Sequence, residues 1–377
     1  MQIEGNYMLR CLALAQLGKM SVAPNPMVGA VIVHKGQIIG EGYHRQYGGT
    51  HAEVNAINAV SDKTMLLNST LYVNLEPCSH KGKTPPCTQL IINKKIPRVV
   101  IGCLDPFPKV SGSGIKQLRN AGVEVVTDVM KDEAIKLNRY HINAHTKQRP
   151  YVILKWAQSS DGYLDRIRKD ISEKPVQLSN PATLRYVHKM RSEVSAIMVG
   201  TNTAWLDNPS LTVRHWVGKS PVRILLDRTL RVPSSYHLHN GATPTLVFTE
   251  QTLQGENAPS PLPPPEGDSC AETKNTEYIP IDFSESVIPQ IFKALYERKL
   301  YSLLVEGGAC LHKSFLDAGM WDELQIETTP HKLGYGVKSP VCELNKIAEY
   351  QRTIRFTTEI CNENSQSFIQ VYYCKKL

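Results

Sequence analysis

The sequence lacks any apolar run that approaches the roughly 20 residues needed to span a bilayer, which excludes a transmembrane helix. Its opening, MQIEGNYMLRC, carries an early Glu4 and lacks the basic-then-apolar order of a secretory signal. Tandem repeats are also absent. We therefore expect a cytoplasmic protein with no membrane partner.

Blocks of lysine and arginine are missing as well, although the 377-residue chain has a formal net charge of +8. Without such blocks or basic–aromatic interleaving, this charge does not indicate a nucleic-acid partner. A mildly basic surface instead favours anionic small molecules, and phosphorylated substrates fit best. The nine cysteines form no even, closely spaced set, so a disulfide framework is not expected.

The first 149 residues alternate between strand and helix patterns. Strand patterns cover 29–44 (two strands around a turn at Lys35 and Gly36), 69–77, 98–106 and 123–129, and helix patterns cover 51–60, 87–95, 114–122 and 132–149. Such alternation predicts an α/β domain with helices on both faces of a sheet.

A second alternating set begins after Pro150. Its patterns cover 151–162, 195–209, 222–232, 245–249 and 302–319. Since the chain is too long for one ordinary core, we predict two α/β domains, 1–149 and 150–377. The segment 254–270 is rich in proline and polar residues and is predicted to be a surface loop.

One histidine and two cysteines between residues 51 and 87 form the most specific chemical pattern. His51 and Glu53 stand in HAE at a helix start, Cys78 follows a strand that ends in proline, and Cys87 begins another helix. A catalytic zinc takes three protein ligands and keeps one position for a water, whose pKa it lowers. In zinc deaminases the glutamate of H-x-E moves protons and is not a ligand. We predict that His51, Cys78 and Cys87 bind zinc and that Glu53 is the proton shuttle.

The spacing of the two cysteines departs from the usual deaminase pattern. Eight residues, 79–86, separate them instead of two. Two widely spaced cysteines are, by themselves, more often buried thiols than ligands. A structural zinc is the alternative, but structural sites usually have four protein ligands, and no fourth is evident in the sequence.

With these motifs the sequence resembles the riboflavin-biosynthesis deaminases, in PNPMVGAVIV (24–33), GYH (42–44), HAE (51–53) and LEPCSHKGKTPPC (75–87). The long cysteine spacer sets that family apart from cytidine and tRNA deaminases. The resemblance implies a first domain with a cytidine-deaminase-like three-layer α/β/α fold. It also implies a second, reductase domain with a dihydrofolate-reductase-like α/β fold.

The resemblance further implies a set of pocket residues in the deaminase domain. They are Asn25, His44, His80, Lys83 and Asp105. Asn25 can read a ring edge, and the compact charge of Lys83 can meet a phosphate. Asp105 follows a strand, where open α/β sheets place their ligands. Apart from the resemblance, His44 would be interpreted as a satisfied surface or strand histidine and Lys83 as a solvated charge in a loop.

The second half resembles the family's reductase domain in 155–164, 199–214, 225–232 and 303–311. The substrate-binding residues that this implies are Lys155, Arg191, Leu211, Arg214 and Glu306. Those implied for NADPH binding are Ala157, Gln177, Gly200, Thr203, Asp207, Arg228, Gly307 and Gly308. Arginines suit a phosphate because a guanidinium binds it bidentately, and a glycine pair lets a helix N-terminus face phosphate. Gln177 and Arg228 depart from the family, which often has a tryptophan and a small polar residue there.

The resemblance implies a bifunctional enzyme and a homo-oligomer. Zinc-dependent deamination would act on 2,5-diamino-6-ribosylamino-4(3H)-pyrimidinone 5′-phosphate, and NADPH would then reduce the ribosyl side chain to ribityl, with Lys155 assisting at the sugar. Two alternatives stay open. One is a nucleoside or tRNA deaminase with an unrelated C-terminal domain, and the other is a non-enzymatic zinc scaffold or RNA-binding module.

Overall fold

A computed structural model describes residues 2–80, 85–107, 111–251, 275–342, 347–360 and 363–374. The chain divides into two compact units, Met1–Arg149 and Pro150–Leu377. Within the described ranges, every helix is too short or too polar to traverse a bilayer. The predicted loop at 254–270 lies outside the described residues.

A five-stranded sheet forms the centre of the first unit. Its strands are β1 (Gly29–His34), β2 (Gln37–Tyr43), β3 (Ser69–Leu75), β4 (Arg98–Cys103) and β5 (Glu124–Val126). In the spatial order β2-β1-β3-β4-β5, the first three strands pair antiparallel and the last three pair parallel. The carboxyl ends of β3 and β4 therefore meet at one edge of the sheet.

Helices cover both faces of this sheet. They are α1 (Gln2–Gln16), α2 (Ala52–Ala59), α3 (Cys87–Asn93), α4 (Ser113–Asn120), α5 (Lys131–Leu137) and α6 (Arg139–Lys147). Successive strand residues point to opposite faces. Ile32 and Val73 thus belong to the core under α2, α3 and α4, whereas Val31 and Tyr72 pack against α1. The predicted layering of helices on both faces is confirmed.

Two features of the first unit differ from the sequence prediction. The segment 132–149, predicted as one helix, forms α5 and α6 with a break at Asn138. The buried Asn138 side chain accepts a hydrogen bond from Met27 N (2.8 Å) and donates one to Met27 O (2.9 Å). These contacts hold Asn138 in a non-helical position. Helix α1 was not predicted at all.

The second unit contains a nine-stranded sheet and a two-stranded ribbon. The sheet strands are β6 (Tyr151–Gln158), β8 (Ala196–Gly200), β9 (Val222–Leu226), β10 (Thr245–Thr249), β11 (Thr276–Pro280), β12 (Ser302–Val305), β13 (Glu323–Thr328), β15 (Ile347–Ile360) and β16 (Glu363–Cys374). The ribbon pairs β7 (Tyr163–Asp165) with β14 (Val337–Lys338). The spatial order is β11-β10-β9-β8-β12-β6-β13-β16-β15, and the seven strands from β11 to β13 are parallel.

The helices of this unit are α7 (Pro181–Ser192), α8 (Thr201–Asp207), α9 (Val287–Glu297) and α10 (Ala309–Asp317). One face of β6 and β13 is apolar, with Leu154 and Leu324 in a core that includes Phe292 and Phe315. The opposite face carries polar side chains. Lys155 on β6 and Gln325 on β13 are in register there. The alternation predicted after Pro150 is confirmed at β8–α8, β9, β10 and β12–α10.

Candidate functional site

Three potential zinc ligands meet above the carboxyl edge of the first sheet. His51 is the residue before α2, Cys78 follows β3, and Cys87 is the first residue of α3. One ligand atom from each lies within 4.8 Å of the other two. This is the one group of three or more potential metal-ligating side chains found among the described residues.

The distances between these atoms suit a tetrahedral zinc. His51 Nδ1 lies 3.5 Å from Cys78 Sγ and 3.3 Å from Cys87 Sγ. Ligands at ordinary Zn–N and Zn–S lengths in a tetrahedron are about 3.5 Å apart. One imidazole and two sulfurs leave the fourth position for water or substrate, as in a catalytic site. The donor set and its spacing therefore fit zinc.

Hydrogen bonds among the three potential ligands favour the thiolate form of Cys78. The bond from Cys87 lowers the pKa of Cys78 to about 4, and the bond to Cys78 raises the pKa of His51 to about 9. The Cys87 amide also donates to Cys78 Sγ at 3.3 Å. Because the thiolate is the form that binds metals, Cys78 is prepared for coordination.

Glu53 lies in the first turn of α2, two residues after His51, and is only 3% exposed. Burial raises the pKa of its carboxyl group. A carboxylate whose pKa is raised exchanges protons more readily near neutrality than an exposed one. Its position two residues from a ligand matches the non-ligand glutamate of the H-x-E pattern.

Tight packing of α2 against β2 places His51 and Glu53. A Cβ at Gly42 would lie 2.3 Å from the Ala56 backbone nitrogen. Only glycine therefore allows the helix to approach the strand this closely.

His44 and Asn25 form a hydrogen-bonded pair beside the zinc ligands. The His44 ring is 5.7 Å from that of His51, measured between centroids. His44 Nδ1 lies 3.0 Å from Thr50 O, and its Nε2 lies 3.1 Å from Asn25 Nδ2. A carbonyl can only accept, so the neutral imidazole donates from Nδ1 and accepts the Asn25 amide at Nε2. Burial lowers the pKa of His44, which favours this neutral form.

Asp105 follows β4 and has a buried partner that the sequence prediction missed. Its Oδ1 accepts hydrogen bonds from Phe107 N (2.9 Å) and His141 Nε2 (3.1 Å). Phe107 stands between the rings of His145 and His80, at 4.9 and 6.0 Å. Of the predicted pocket residues, the exposed His80 thus adjoins the Asp105 loop. Lys83 lies outside the described residues.

Glu76 is a second residue that the sequence prediction missed. The side chain is 4% exposed and follows β3 directly. Its oxygens accept backbone N–H groups of Asp105 (3.4 Å), Gly112 (3.0 Å), Gly114 (2.9 Å) and Ile115 (3.3 Å). Glu76 therefore joins the strand before Cys78 to the Asp105 loop and to the start of α4.

In the second unit, three implied substrate residues form a charged group at the carboxyl end of β12 and the middle of the neighbouring β6. The Arg191 guanidinium binds Glu306 through two hydrogen bonds, of 3.0 and 2.6 Å. Lys155 is 7% exposed and donates to Glu327 Oε2 at 3.2 Å. Burial alone would raise the pKa of Glu306, but the charges of Arg191 and Lys155 together with the Arg191 hydrogen bond lower it.

Two glycine-containing turns meet beside this group. Gly200 ends β8 and precedes α8, while Gly307 and Gly308 join β12 to α10. Because β8 and β12 are neighbouring parallel strands, the turns lie side by side. A Cβ at Gly308, whose φ is +74°, would lie 3.1 Å from Thr203 Oγ1. The N-cap residue of α10, Gly308, has no side chain with which to cap the helix, which suits a phosphate-bearing dinucleotide such as NADPH.

The remaining predicted reductase residues occupy different environments. Leu211 is buried, and Asp207 at the end of α8 binds Arg168, so its carboxylate is already paired. Arg214 is exposed and donates to Thr212 Oγ1 at 3.0 Å. The two positions that depart from the family, Gln177 and Arg228, are exposed as well. Gln177 donates to Ser179 O, and Arg228 pairs with Glu250. Ala157 is half-buried on β6.

Comparisons with known proteins agree with this geometry. The family model described as "Cytidine and deoxycytidylate deaminase zinc-binding region" matches residues 1–103, and "RibD C-terminal domain" matches 150–364. Fold and site thus define an α/β zinc-dependent deaminase joined to a reductase domain. The second match argues against an unrelated C-terminal domain.

Full-length relatives show the family. Riboflavin biosynthesis protein RibD of Aquifex aeolicus is 36% identical over 373 residues, 98% of this chain and 99% of that protein. RibD of Bacillus amyloliquefaciens is 39% identical over 336 residues, 88% and 86% of the two chains. The crystal structure of a diaminohydroxyphosphoribosylaminopyrimidine deaminase/5-amino-6-(5-phosphoribosylamino)uracil reductase from Thermotoga maritima is 34% identical, with a TM-score of 0.80 over 99% of each chain.

The chain therefore belongs to the RibD family, the bifunctional deaminase/reductases of riboflavin biosynthesis. The predicted family, the α/β fold class, the two activities and the cofactors zinc and NADPH are confirmed.

Proposed function

We propose that residues 1–149 carry the deaminase activity and residues 150–377 the reductase activity. The first removes the 2-amino group of 2,5-diamino-6-ribosylamino-4(3H)-pyrimidinone 5′-phosphate, and the second reduces the ribosyl side chain of the product. The observation that carries this proposal is the cluster of His51, Cys78 and Cys87, whose ligand atoms lie within 4.8 Å of one another. The buried Glu53 lies two residues from His51.

His51, Cys78 and Cys87 would hold the zinc ion. When bound, zinc would supply a water of lowered pKa and a positive charge that stabilises the oxygen added to the ring carbon. Glu53 would take one proton from the attacking water and give it to the ring nitrogen. It would then move the second proton of that water to the amino group, which leaves as ammonia when its C–N bond breaks. Its burial excludes bulk solvent from this transfer.

Asn25, His44, Asp105 and His80 orient the pyrimidine in this proposal. His44 is held by Thr50 O and receives the Asn25 amide, which fixes the amide relative to the zinc ligands. His141 and the Phe107 amide both bind Oδ1 of Asp105, and we propose that Oδ2 accepts a ring N–H or amino group of the substrate. Lys83, in the spacer between the cysteines, is proposed to bind the substrate phosphate.

In the reductase, NADPH supplies the hydride when bound. Gly200, Thr203, Gly307 and Gly308 would lie against the cofactor, where the two turns meet. Ala157, Gln177, Asp207 and Arg228 complete the proposed cofactor set. Arg191, Leu211, Arg214 and Glu306 are proposed to bind the substrate. Lys155 is proposed to assist at the sugar, because its charge acts on Glu306, which is itself proposed to bind the substrate.

A Glu53→Ala variant tests the deaminase assignment. The variant should retain zinc, because Glu53 is not a ligand, but should release ammonia at least about a hundredfold more slowly. NADPH oxidation on the deaminated substrate should stay at the parental rate. Unimpaired ammonia release, or deamination of cytidine or tRNA adenosine by the parent in place of the pyrimidinone, would contradict the assignment.

Lys155→Ala is the corresponding test of the reductase. Reduction of the deaminated substrate at the parental rate would contradict the role given to Lys155.

We further propose that the protein acts in the cytoplasm as a homo-oligomer and does not bind nucleic acid. The net charge of +8 without lysine–arginine blocks supports the last point. Light scattering and a nucleic-acid shift assay on the purified protein test these statements.

A further inference from the structure

A row of alternating charges crosses the polar face of the second sheet. Lys155 on β6 is in parallel register with Gln325 on β13, so the Glu327 side chain projects from the same face. Glu306 follows directly after β12, the other neighbour of β6. Lys155 therefore stands between two carboxylates that come from the strands on either side.

The two carboxylates have different partners. Arg191 already binds both oxygens of Glu306, whereas the hydrogen-bond partners of Glu327 among the described residues are Lys155 and Ser179. Glu327 Oε2 accepts hydrogen bonds from Lys155 Nζ (3.2 Å) and from Ser179 Oγ (2.7 Å). The Lys155 ammonium is thus bonded directly to Glu327, and it acts on Glu306 only through its charge.

Glu327 is completely buried, and its second oxygen is not satisfied. Its exposure is 0%, and Oε1 is a buried atom without a hydrogen-bond partner in the described part of the chain. Buried polar groups are normally satisfied, and each exception calls for an explanation. A buried ion pair rarely stabilises a fold more than apolar side chains of equal volume would. Stability is therefore a weak reason for a glutamate at this position.

We propose that Glu327 is a positioning residue of the reductase, which anchors the Lys155 ammonium at one point on the sheet face. The Ser179 hydroxyl, next to the N-cap residue of α7, fixes the same carboxylate oxygen from the other side. The assignment rests on the proposed role of Lys155 at the sugar. Without Glu327, Lys155 would turn towards Glu306, its remaining acidic neighbour, and leave the orientation that the reaction uses.

The test compares NADPH oxidation on 5-amino-6-(5-phosphoribosylamino)uracil by purified full-length variants. Glu327→Gln keeps the shape of the side chain and removes its charge. It should lower kcat at least about tenfold and leave the KM for NADPH within about twofold, because only the orientation of Lys155 changes. Glu323→Gln is the matched control, because Glu323 is also a buried carboxylate on β13, 4% exposed, but binds Tyr151 and Gln325. It should keep the parental kcat.

A double-mutant cycle separates positioning from a general structural effect. In a Lys155→Met background, Glu327→Gln should change kcat by less than about twofold, since the group that it positions is gone. Ser179→Ala, which removes one hydrogen bond from the same oxygen, should lower kcat about threefold and serves if Glu327→Gln does not fold. The melting temperature of each variant establishes that it is folded.

A parental kcat in Glu327→Gln, or in Ser179→Ala where Glu327→Gln does not fold, would overturn the inference. Additive losses in the double variant, or an equal loss in Glu323→Gln, would overturn it as well. These outcomes differ from a failure of the proposed function. A parent protein that does not oxidise NADPH, or a Lys155→Met variant at the parental rate, would overturn the assignment of Lys155 and this inference with it. An impaired Lys155→Met beside an unimpaired Glu327→Gln overturns this inference alone.

Discussion

The Glu76 carboxylate binds four backbone N–H groups between residues 105 and 115. These groups belong to the loop that carries Asp105 and to the start of α4. A buried carboxylate that accepts only N–H donors is strongly anchored, because each bond to a charged acceptor is worth about 1.5–3 kcal/mol. Glu76 therefore connects the zinc side of the pocket to the Asp105 side.

We predict that Glu76→Gln destabilises the first unit by about 2 kcal/mol and raises the KM of deamination. Both oxygens of Glu76 accept N–H groups, so an amide NH₂ in either orientation faces donors and leaves them unpaired. Denaturant unfolding and ammonia release measure the two effects. Glu124→Gln is the control, since the Glu124 side chain is 65% exposed and its ion pair among the described residues is with Arg98. An unchanged unfolding curve for Glu76→Gln would contradict a stabilising role for the hydrogen bonds that Glu76 accepts.

His312 on α10 provides a pH-dependent prediction. The ring is 1% exposed and faces the Val305 and Gly308 carbonyls. Burial lowers its pKa from 6.5 to about 4. The unfolded chain therefore takes up this proton at a higher pH than the folded chain. Stability from the neutral ring is present above about pH 6.5 and is lost as the pH falls towards about 4, by about 3 kcal/mol at most.

A His312→Leu variant should remove this part of the pH dependence. Denaturant unfolding from pH 7 to pH 4 should show a smaller loss of stability than in the parent. The exposed His331→Gln should follow the parental curve. If the stability of His312→Leu fell with pH in parallel with that of the parent, the buried His312 ring would not be the source of this pH dependence.

Individual site residues were predictable to different degrees. His51, Glu53, Cys78 and Cys87 lie within 37 positions of one another, and their identities alone specify zinc chemistry. Glu76 stands in the LEPC motif without a predicted role, because its partners lie 29 to 39 positions further along the chain. Strands are depleted of glutamate, so a glutamate within ELQIET (Glu323–Thr328) could have indicated a special role for Glu327.

At the scale of elements, the packing of α2 on β2 determines where His51 and Glu53 lie. The contact is backbone against backbone at Gly42 and Ala56. We predict that Gly42→Ala displaces α2, weakens zinc binding at least about tenfold and lowers deamination, because a misplaced ligand loses its metal geometry. NADPH oxidation should be unaffected. Zinc titration and the two assays measure these effects.

Gly5→Ala is the matched control for Gly42→Ala. Gly5 lies within α1, and a Cβ there would meet nothing within 4 Å. Alanine should therefore leave zinc binding unchanged and stabilise the helix by about 0.5–1 kcal/mol. Equal zinc affinity in Gly42→Ala and Gly5→Ala would contradict the close approach as the cause.

The elements themselves were largely predictable. Strands such as GAVIVH and RVVIGC are apolar runs of strand length, bounded by turns or proline, so local pattern was sufficient. The break at Asn138 was not predictable, because its cause is a pair of hydrogen bonds to Met27, 111 positions away. Likewise, strand order and register depend on long-range pairing, which local periodicity does not encode.

At the scale of the whole molecule, the two sites draw their residues from separate parts of the chain. The described zinc-site residues lie within Met1–Arg149, and the described reductase residues within Pro150–Leu377. We predict that a chelator abolishes ammonia release and that added zinc restores it. NADPH oxidation on deaminated substrate should continue without zinc. Parallel loss of both activities at the same chelator concentration would contradict this separation.

Zinc binding should also release protons, because Cys87 carries a thiol proton in the metal-free site. The hydrogen bond to Cys78 and burial both raise the pKa of Cys87. Zinc affinity should therefore rise with pH as thiol protons become easier to displace. Calorimetric titration in buffers of different ionisation enthalpy measures the protons released. A zinc affinity independent of pH would argue against a thiolate site.

The central claim is that one chain deaminates the pyrimidinone and then reduces the deaminated product. A two-stage assay on the purified, zinc-loaded protein tests it most directly. Ammonia release from the diaminopyrimidinone phosphate is followed first, and NADPH is then added and its oxidation is recorded. We expect one ammonia released and then one NADPH oxidised per substrate. Ammonia release without any later NADPH oxidation would contradict the proposal that one chain carries both activities.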